Sequence, residues 1–267
     1  MKKFDGVEDT LFIPLVGRIY ASKNFKEFFY DEKALELESY IPLEMIKENT
    51  DEYFLMASLS RFYEFDNLVK DFITKYHNAN IVCLGSGLET MYYRVKPSKE
   101  VTFYEVDFED VIRQRKVVLG EQENDICIGS DLLKYSWMDK IDSSRPTLFI
   151  VAGVFQYLKY QDIVSLIKEL KKKFNKSEIA FDATNKKGLE KANEYVEKTG
   201  NSNAKMYFYL DKPDNFIKDT NTSLIRRVNF YDHSRVILKK KLKLSTRFLC
   251  YFGDKLGFTK IIYLKIN

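Results

Sequence analysis

The chain of 267 residues has few of the side chains that hold metal ions or form disulfide bonds. It contains three cysteines, Cys83, Cys127 and Cys250, and two histidines, His77 and His233. The cysteines have neither paired nor metal-ligand spacing, and two of them lie in apolar, strand-like runs, which is typical of reduced core residues. We therefore expect no metal centre and a cytoplasmic protein.

Charge and hydropathy argue against two kinds of partner. The net charge is +4, which is too small to predict a nucleic acid or a strongly acidic partner. No apolar run approaches the length that spans a bilayer, and acids stand near the N-terminus where a signal peptide would be hydrophobic. The sequence thus predicts neither nucleic acid nor a membrane as partner, and it leaves the oligomeric state open.

The most informative segment is 81–90, in which an apolar run of strand length ends in the loop Gly85-Ser86-Gly87. Two glycines so close let the backbone turn sharply and let a ligand lie against it without meeting a Cβ atom. A dinucleotide would require a third glycine, where this chain has Thr90, and no phosphate loop for ATP is present. S-adenosylmethionine, which has an adenosine but no phosphate, fits better. The alternative is a strand followed by a tight turn.

A second strand-like run, 101–107, ends in the carboxylates of Glu105 and Asp107. Asp107 follows the glycine loop by about twenty residues, the spacing at which a carboxylate accepts hydrogen bonds from ribose hydroxyls. The alternative is that both acids only cap the helix that begins near Phe108. The two roles are compatible, and the loop and the acid together favour an adenosine site.

These residues resemble a known family. The loop, followed by Arg94 and by Tyr104-Glu-Val-Asp107, is similar to the leucine carboxyl methyltransferase family, including its bacterial O-methyltransferases, which are class I S-adenosylmethionine-dependent enzymes. The resemblance runs from about Thr10 to Ala183. Its further matches are Arg61 with Asp66, Gly129-Ser-Asp131-Leu132 with Trp137, Gly153-Val154 with Tyr157-Leu158, and Phe181-Asp182-Ala183.

The resemblance implies S-adenosyl-L-methionine as cofactor and S-adenosyl-L-homocysteine as product. It also implies a set of cofactor contacts that runs from the methionyl group to the adenine. They are Arg61 at the methionyl carboxylate, Gly85, Ser86 and Gly87 beside the amino-acid end, Glu105 and Asp107 at the ribose, Asp131 and Leu132 at the adenine, and Ala152 where the fourth strand ends.

Ala152 departs from the family pattern, because the family usually has glutamate immediately before the glycine that ends the fourth strand. A carboxylate that would touch cofactor or substrate is therefore missing. This departure supports an alternative function, a catalytically silent module that binds S-adenosylmethionine. Glu89, in place of the usual aspartate, is a milder change.

The predicted fold is α/β, a doubly wound, Rossmann-like and mostly parallel sheet of seven strands, the seven being implied by the resemblance. We expect one domain over 1–267, with a helical cap in 1–80, the cofactor-binding core in 81–185, and a lid insert with closing strands in 186–267. The elements expected from the pattern are strands at about 81–86, 101–106, 125–129, 147–152 and 177–183, helices at 108–119 and 161–174, a polar loop at 213–222 and a solvated helix face at 238–244.

The expected reaction is methyl transfer to an oxygen of a small-molecule carboxylate or hydroxyl. A carboxylate acceptor needs no base, because it is ionised at neutral pH. Tyr157 would orient the acceptor, with Tyr207 and Tyr209 lining its pocket, although packing is the more common use of such residues. A protein C-terminal carboxylate is the alternative acceptor, and a dinucleotide oxidoreductase is a distant third function.

Overall fold

The computed structural model describes residues 8–41, 52–198 and 205–267. Its centre is a sheet of seven strands in the order β3-β2-β1-β4-β5-β7-β6. The strands are β1 Ala79–Leu84, β2 Val101–Asp107, β3 Asp125–Gly129, β4 Thr147–Val151, β5 Ser177–Thr184, β6 Ser223–Asn229 and β7 Thr259–Lys265.

Strands β1 to β5 are parallel, β7 runs antiparallel to β5, and β6 runs antiparallel to β7. The inner strands β1 and β4 are buried along their whole length, as expected where helices cover both faces of a parallel sheet. The predicted doubly wound, mostly parallel sheet of seven strands is confirmed, and the five predicted strands are correct to within two residues.

Ten α-helices lie within the described residues, and they pack on both faces and around the carboxyl edge of the sheet. They are α1 Glu8–Asn24, α2 Glu32–Glu36, α3 Glu52–Lys75, α4 Met91–Val95, α5 Glu109–Leu119, α6 Tyr160–Lys173, α7 Lys186–Lys198, α8 Pro213–Thr220, α9 Asp232–Ile237 and α10 Leu244–Lys255.

Two main cores lie on opposite faces of the sheet. One face packs against α3, α9 and α10, and the other packs against α6 and α8. Helix α6 packs on the sheet through one apolar face, because Ile163, Ile167 and Leu170 recur at helical spacing and are fully buried. A third cluster joins α1 and α2 to the glycine loop through Leu88. The N-terminal helices are therefore packed directly onto the loop.

Two local predictions are wrong. The polar loop expected at 213–222 contains α8, which Pro213 can begin because its fixed φ suits a first helical turn. The solvated helix face expected at 238–244 is instead the turn between α9 and α10. Leu238 and Leu242 are buried in this turn while the lysines between them are exposed.

Candidate active site

The glycine loop leaves β1 at the carboxyl edge of the sheet. Gly85 and Gly87 have φ values of +69° and +51°, which favour glycine. A Cβ atom on Gly85 would lie 2.4 Å from Cγ2 of Val154. The amide of Gly85 donates to the Val106 carbonyl at 2.8 Å, and the buried Ser86 lies between the two glycines. The loop therefore lies close against the ends of both β2 and β4.

Asp107 is in contact with this loop. Its Oδ2 accepts from the Gly87 amide at 2.8 Å, and its Oδ1 accepts from the Phe108 amide at 2.7 Å, just before α5 begins. Burial raises the pKa of Asp107, and the two amide donors oppose that rise. Each oxygen has a second lone pair, so the carboxylate can position the loop and still accept from a ligand.

Asp131 and Leu132 follow β3 at the same edge. The amide of Ser130 donates to the Asp107 carbonyl at 2.8 Å, which places this turn beside the end of β2. Asp131 begins a short 3₁₀ turn, with its Oδ1 accepting from the Leu133 amide at 2.9 Å. The buried indole of Trp137 donates to the Leu132 carbonyl at 3.1 Å and holds the turn in place.

Arg61 meets the ends of β4 and β5. Its Nη1 lies 3.4 Å from Oδ2 of Asp182, and Oδ1 of Asp182 accepts from the Gly153 amide at 2.6 Å. A Cβ atom on Gly153 would lie 2.8 Å from the same Nη1. The Arg61 Nε is buried without a hydrogen-bond partner among the described residues. The guanidinium thus has bonding capacity left at this edge.

Asp182 was named in the sequence only as part of a match to the family, without a role. It lies within β5, next to Phe181, which pairs with Val151 on β4. Continuing this register sets Asp182 beside Ala152. The carboxylate missing at Ala152 therefore has a counterpart on the neighbouring strand, a relation visible in the sequence only once the strand pairing is known.

Glu105, predicted as a cofactor contact, has no exposed surface. Its Oε1 lies 3.0 Å from Nη2 of Arg115, which is also 3.8 Å from Asp125. Burial raises the pKa of Glu105 above its usual range, and Arg115 opposes the rise. In this structure Glu105 is therefore enclosed by the protein and is held beside Arg115, which in turn contacts the loop.

Five charged residues, which we call the loop-anchoring cluster, join the N-terminal helices to the loop: the buried Arg18, Asp31 and Asp66, and the partly buried Glu89 and Arg94. Asp31 lies 3.2 Å from Arg18 Nε and 3.1 Å from Arg94 Nη1. Arg94 donates to Glu89 at 2.7 Å and makes two bonds of 2.8 Å to Asp66. Arg94, Asp66 and Glu89 were named in the sequence, but their association in one cluster was not predicted.

Guanidinium groups also hold three successive carbonyls of the loop. Arg115 donates to the Gly87 carbonyl at 3.2 Å and to the Glu89 carbonyl at 2.6 Å, while Arg18 donates to the Leu88 carbonyl at 2.6 Å. Both arginines are almost completely buried. The shape of the loop is therefore fixed by the protein itself, as in preorganised binding sites.

The predicted acceptor residues lie beside the end of β4. Tyr157 closes a 3₁₀ turn after β4 and is 42% exposed. The carbonyl of Gln156 accepts from the Tyr207 amide at 2.7 Å, so the structure brings Tyr157 and Tyr207 onto neighbouring segments. Tyr207 and Tyr209 are exposed on either side of the buried Phe208, in an extended segment that is not a regular strand.

Two features are absent from the described residues. No group of three or more His, Cys, Asp and Glu side chains there is arranged to hold a metal ion. Among the helices described, none is both long and apolar enough to cross a bilayer.

The parallel strands ending in a glycine loop, a second-strand acid and a closing antiparallel strand define a class I, S-adenosylmethionine-dependent methyltransferase. The model of one family, leucine carboxyl methyltransferase, matches residues 14–171, more than half of the chain. The chain belongs to the leucine carboxyl methyltransferase family.

Individual relatives agree with this assignment. The chain is 23% identical over 181 residues to the tetracenomycin polyketide synthesis O-methyltransferase TcmP of Streptomyces glaucescens, over 68% of this chain and 67% of TcmP. A candidate methyltransferase from Thermobifida fusca superimposes with a TM-score of 0.60 at 13% identity, over 93% of both chains. A geranyl diphosphate methyltransferase in complex with S-adenosylmethionine superimposes with a TM-score of 0.52 at 10% identity, over 83% of this chain and 93% of that chain. The structural likenesses show the fold alone.

Proposed function

We propose that this chain transfers a methyl group from S-adenosylmethionine to an oxygen of a small molecule, most simply a carboxylate. The observation that carries the proposal is the convergence of the glycine loop, Asp107 and Arg61 at the carboxyl edge of the sheet, where ligands bind in open α/β folds. These elements come from three separate parts of the chain.

The residues present suit the cofactor. Gly85, Ser86 and Gly87 would face its amino-acid end, since the positive φ values of the two glycines let the backbone turn sharply at this edge. Arg61 would bind the methionyl carboxylate, for which its free Nε and planar fork are suited. Asp107 would accept from the ribose hydroxyls. At the adenine, Asp131 would accept from the exocyclic amine and Leu132 would cover one face.

At Ala152, where the usual carboxylate is missing, the neighbouring strand β5 would provide one from Asp182. Asp182 would supply the negative charge at this point, both by orienting Arg61 and by lying near the methionyl ammonium. This arrangement supports an active enzyme over the silent module, because a carboxylate remains at this edge of the sheet although the usual glutamate is missing.

The bound cofactor supplies an electrophilic methyl group, so the protein mainly aligns the acceptor and excludes water. A carboxylate acceptor is already ionised at neutral pH and needs no proton removed. Tyr157 and Tyr207 would orient such an acceptor through their exposed rings and hydroxyls. Tyr209 would contribute to the far side of the same pocket.

Two lines of support favour a small acceptor. TcmP, the curated relative, is named for polyketide synthesis, which concerns small molecules. The tyrosine-bearing segment 205–209 also lies against the turn after β4, where it would narrow the approach to the site. A protein C-terminal carboxylate, favoured by the family's name, is the second candidate.

A labelled-methyl screen tests the proposal. The full chain would be incubated with radiolabelled S-adenosylmethionine and panels of small carboxylic acids, phenols and peptides with free C-terminal carboxylates. We expect base-labile label, as in methyl esters, on one or more small acids. Label on peptides alone would refute the small-molecule acceptor. Cofactor binding by calorimetry without transfer to any panel would favour the silent module.

A further inference from the structure

Helix α10 faces the protein with its small side chains. Thr246, Cys250 and Gly253, spaced at helical intervals, are buried. A Cβ atom on Gly253 would lie 3.2 Å from the ring of Tyr231, so the helix packs closely at this point. A surface helix normally buries its large apolar residues, and this one buries small ones instead.

The large apolar side chains of α10 point outward. Leu244 is 78% exposed and Phe248 is 64% exposed, and Tyr251 follows on the same face. Val236, 75% exposed, adds to this surface from α9. A groove of 780 Å³ runs between the two helices and is lined by these four side chains, by three cationic ones and by Asp232, which is paired with Arg235. We call this surface, from 235 to 256, the α9–α10 face.

The α9–α10 face also concentrates positive charge. Residues 235–256 contain seven lysines and arginines and one acid, although the whole chain has a net charge of only +4. Arg235 and Lys241 have carboxylate partners. Lys239, Lys240 and Arg247 form no ion pair with any carboxylate of the described residues. Charges without partners around exposed apolar groups indicate a surface made for an anionic, partly apolar partner.

The face lies at the same edge of the sheet as the candidate site. Asn229, the last residue of β6, pairs with Lys260 on β7. The next residue of β7, Thr259, pairs with Thr184 at the carboxyl end of β5, so β6 and β5 end at the same edge. Helix α9 also contacts α3, because Ser60 Oγ and Ser234 Oγ lie 2.9 Å apart, one residue before Arg61. A partner on this face would therefore lie on the side from which an acceptor approaches.

We propose that the α9–α10 face docks on anionic membrane surfaces. Lysine and arginine around exposed leucine and phenylalanine, here on α10 and on the turn before it, are similar to the pattern of helices that lie in the lipid interface. Phe248 and Leu244 would enter the boundary between headgroups and acyl chains, while Lys239, Lys240 and Arg247 contact lipid phosphates. The absence of a spanning segment, on which the sequence prediction rested, does not bear on such peripheral docking. Docking would bring lipid-dissolved acceptors to the site.

Vesicle co-sedimentation tests the charge contribution. The full chain would be mixed with vesicles of phosphatidylcholine alone or with about 30% phosphatidylglycerol added, since each cation near an anionic surface adds roughly fivefold in affinity. Binding should require the anionic lipid and weaken when salt rises from about 0.1 M to about 0.5 M. The variant Lys239→Gln, Lys240→Gln, Arg247→Gln should bind about a hundredfold more weakly. The charge-matched control is the variant Lys171→Gln, Lys172→Gln, Lys173→Gln on α6. It should bind as tightly as the parent.

Phe248→Ser and Leu244→Ser test the apolar contribution, each with an expected loss of about tenfold or more. Val117→Ser, at an isolated position on α5 that is 80% exposed, is the matched control. Calorimetric affinity for S-adenosylmethionine should be unchanged in all variants, which separates docking from the proposed reaction. No binding to anionic vesicles, or equal binding by the face and control variants, would overturn the proposal. The proposal would also be overturned if the parent sedimented as a dimer and Phe248→Ser converted it to a monomer, since a second copy of the chain would then cover the face.

Discussion

Glu89 gives the sharpest test of the loop-anchoring cluster. Its Oε1 lies 2.7 Å from Arg94 Nη1 and its Oε2 lies 3.7 Å from Arg18 Nη1. Burial alone would raise the pKa of Glu89, but the two guanidinium groups outweigh it and lower the pKa from 4.5 to about 2. Neutralising this one side chain by Glu89→Gln removes the ionisation and keeps the shape.

The sign and size of the effect follow from linkage. Because the pKa of Glu89 is lower in the folded state, its ionised form stabilises the fold above pH 4.5, and this contribution is lost as the pH falls from 4.5 towards 2. The shift corresponds to about 3 kcal/mol at pH 7 and to about 1 kcal/mol at pH 3. Typical domains are stable by about 5–15 kcal/mol, so the variant should fold with a clearly lower unfolding free energy.

Urea unfolding followed by tryptophan fluorescence at pH 7 and at pH 3 measures this difference. Glu89→Gln should lose about 3 kcal/mol at pH 7 and about a third of that at pH 3. Glu36→Gln is the control, since Glu36 is exposed and its ion pair with Lys33 is worth less than about 1 kcal/mol. Equal losses at both pH values, or a loss at pH 7 no larger than that of the control, would refute the reasoning.

Three further predictions concern the cofactor site. Gly87→Val should abolish S-adenosylmethionine binding in calorimetry, because a branched side chain is strained at φ +51° and fills ligand space; unchanged affinity in a folded variant contradicts the loop assignment. Arg61→Lys should weaken the same binding about tenfold, since an ammonium cannot form a bidentate pair, and equal affinities would place the methionyl carboxylate elsewhere. Gly153→Ala should lower the urea unfolding free energy by about 1–3 kcal/mol through its positive φ and its contact with Arg61, and a neutral result would show that the guanidinium moves freely.

The parts of the fold that were predictable from the sequence are those with short-range causes. Buried parallel strands are continuous apolar runs, and the loop at 85–87 is visible because two glycines interrupt such a run. The spacing of the loop and Asp107 in a βαβ unit predicted that they belong to one site, and the structure brings Gly87 and Asp107 into contact. Each of these features depends on residues within about thirty positions of one another.

The parts that were missed depend on long-range packing. Arg18 reaches Leu88 across 70 positions, and Asp31 reaches Arg94 across 63, so no local pattern relates them. Glu105 was assigned by its place near a strand end, but it lies two residues inside β2, where the buried Arg115 of α5 covers it, while Asp107 is the last residue of the strand. Which residues of a strand a neighbouring helix covers depends on tertiary packing, which position in the chain does not reveal.

The loop-anchoring cluster holds α1 and the glycine loop together. Separating them would leave the charges of Arg18 and Asp31, which have almost no exposed surface, without their partners, and breaking a buried pair costs about 3–5 kcal/mol. The segment 205–209 is attached differently, since Tyr207 and Phe208 are tied to the turn after β4 by backbone hydrogen bonds and only Phe208 is buried. Local opening favours the less buried attachment. We therefore expect acceptor entry to move this segment, while α1 keeps the loop shaped for the cofactor throughout.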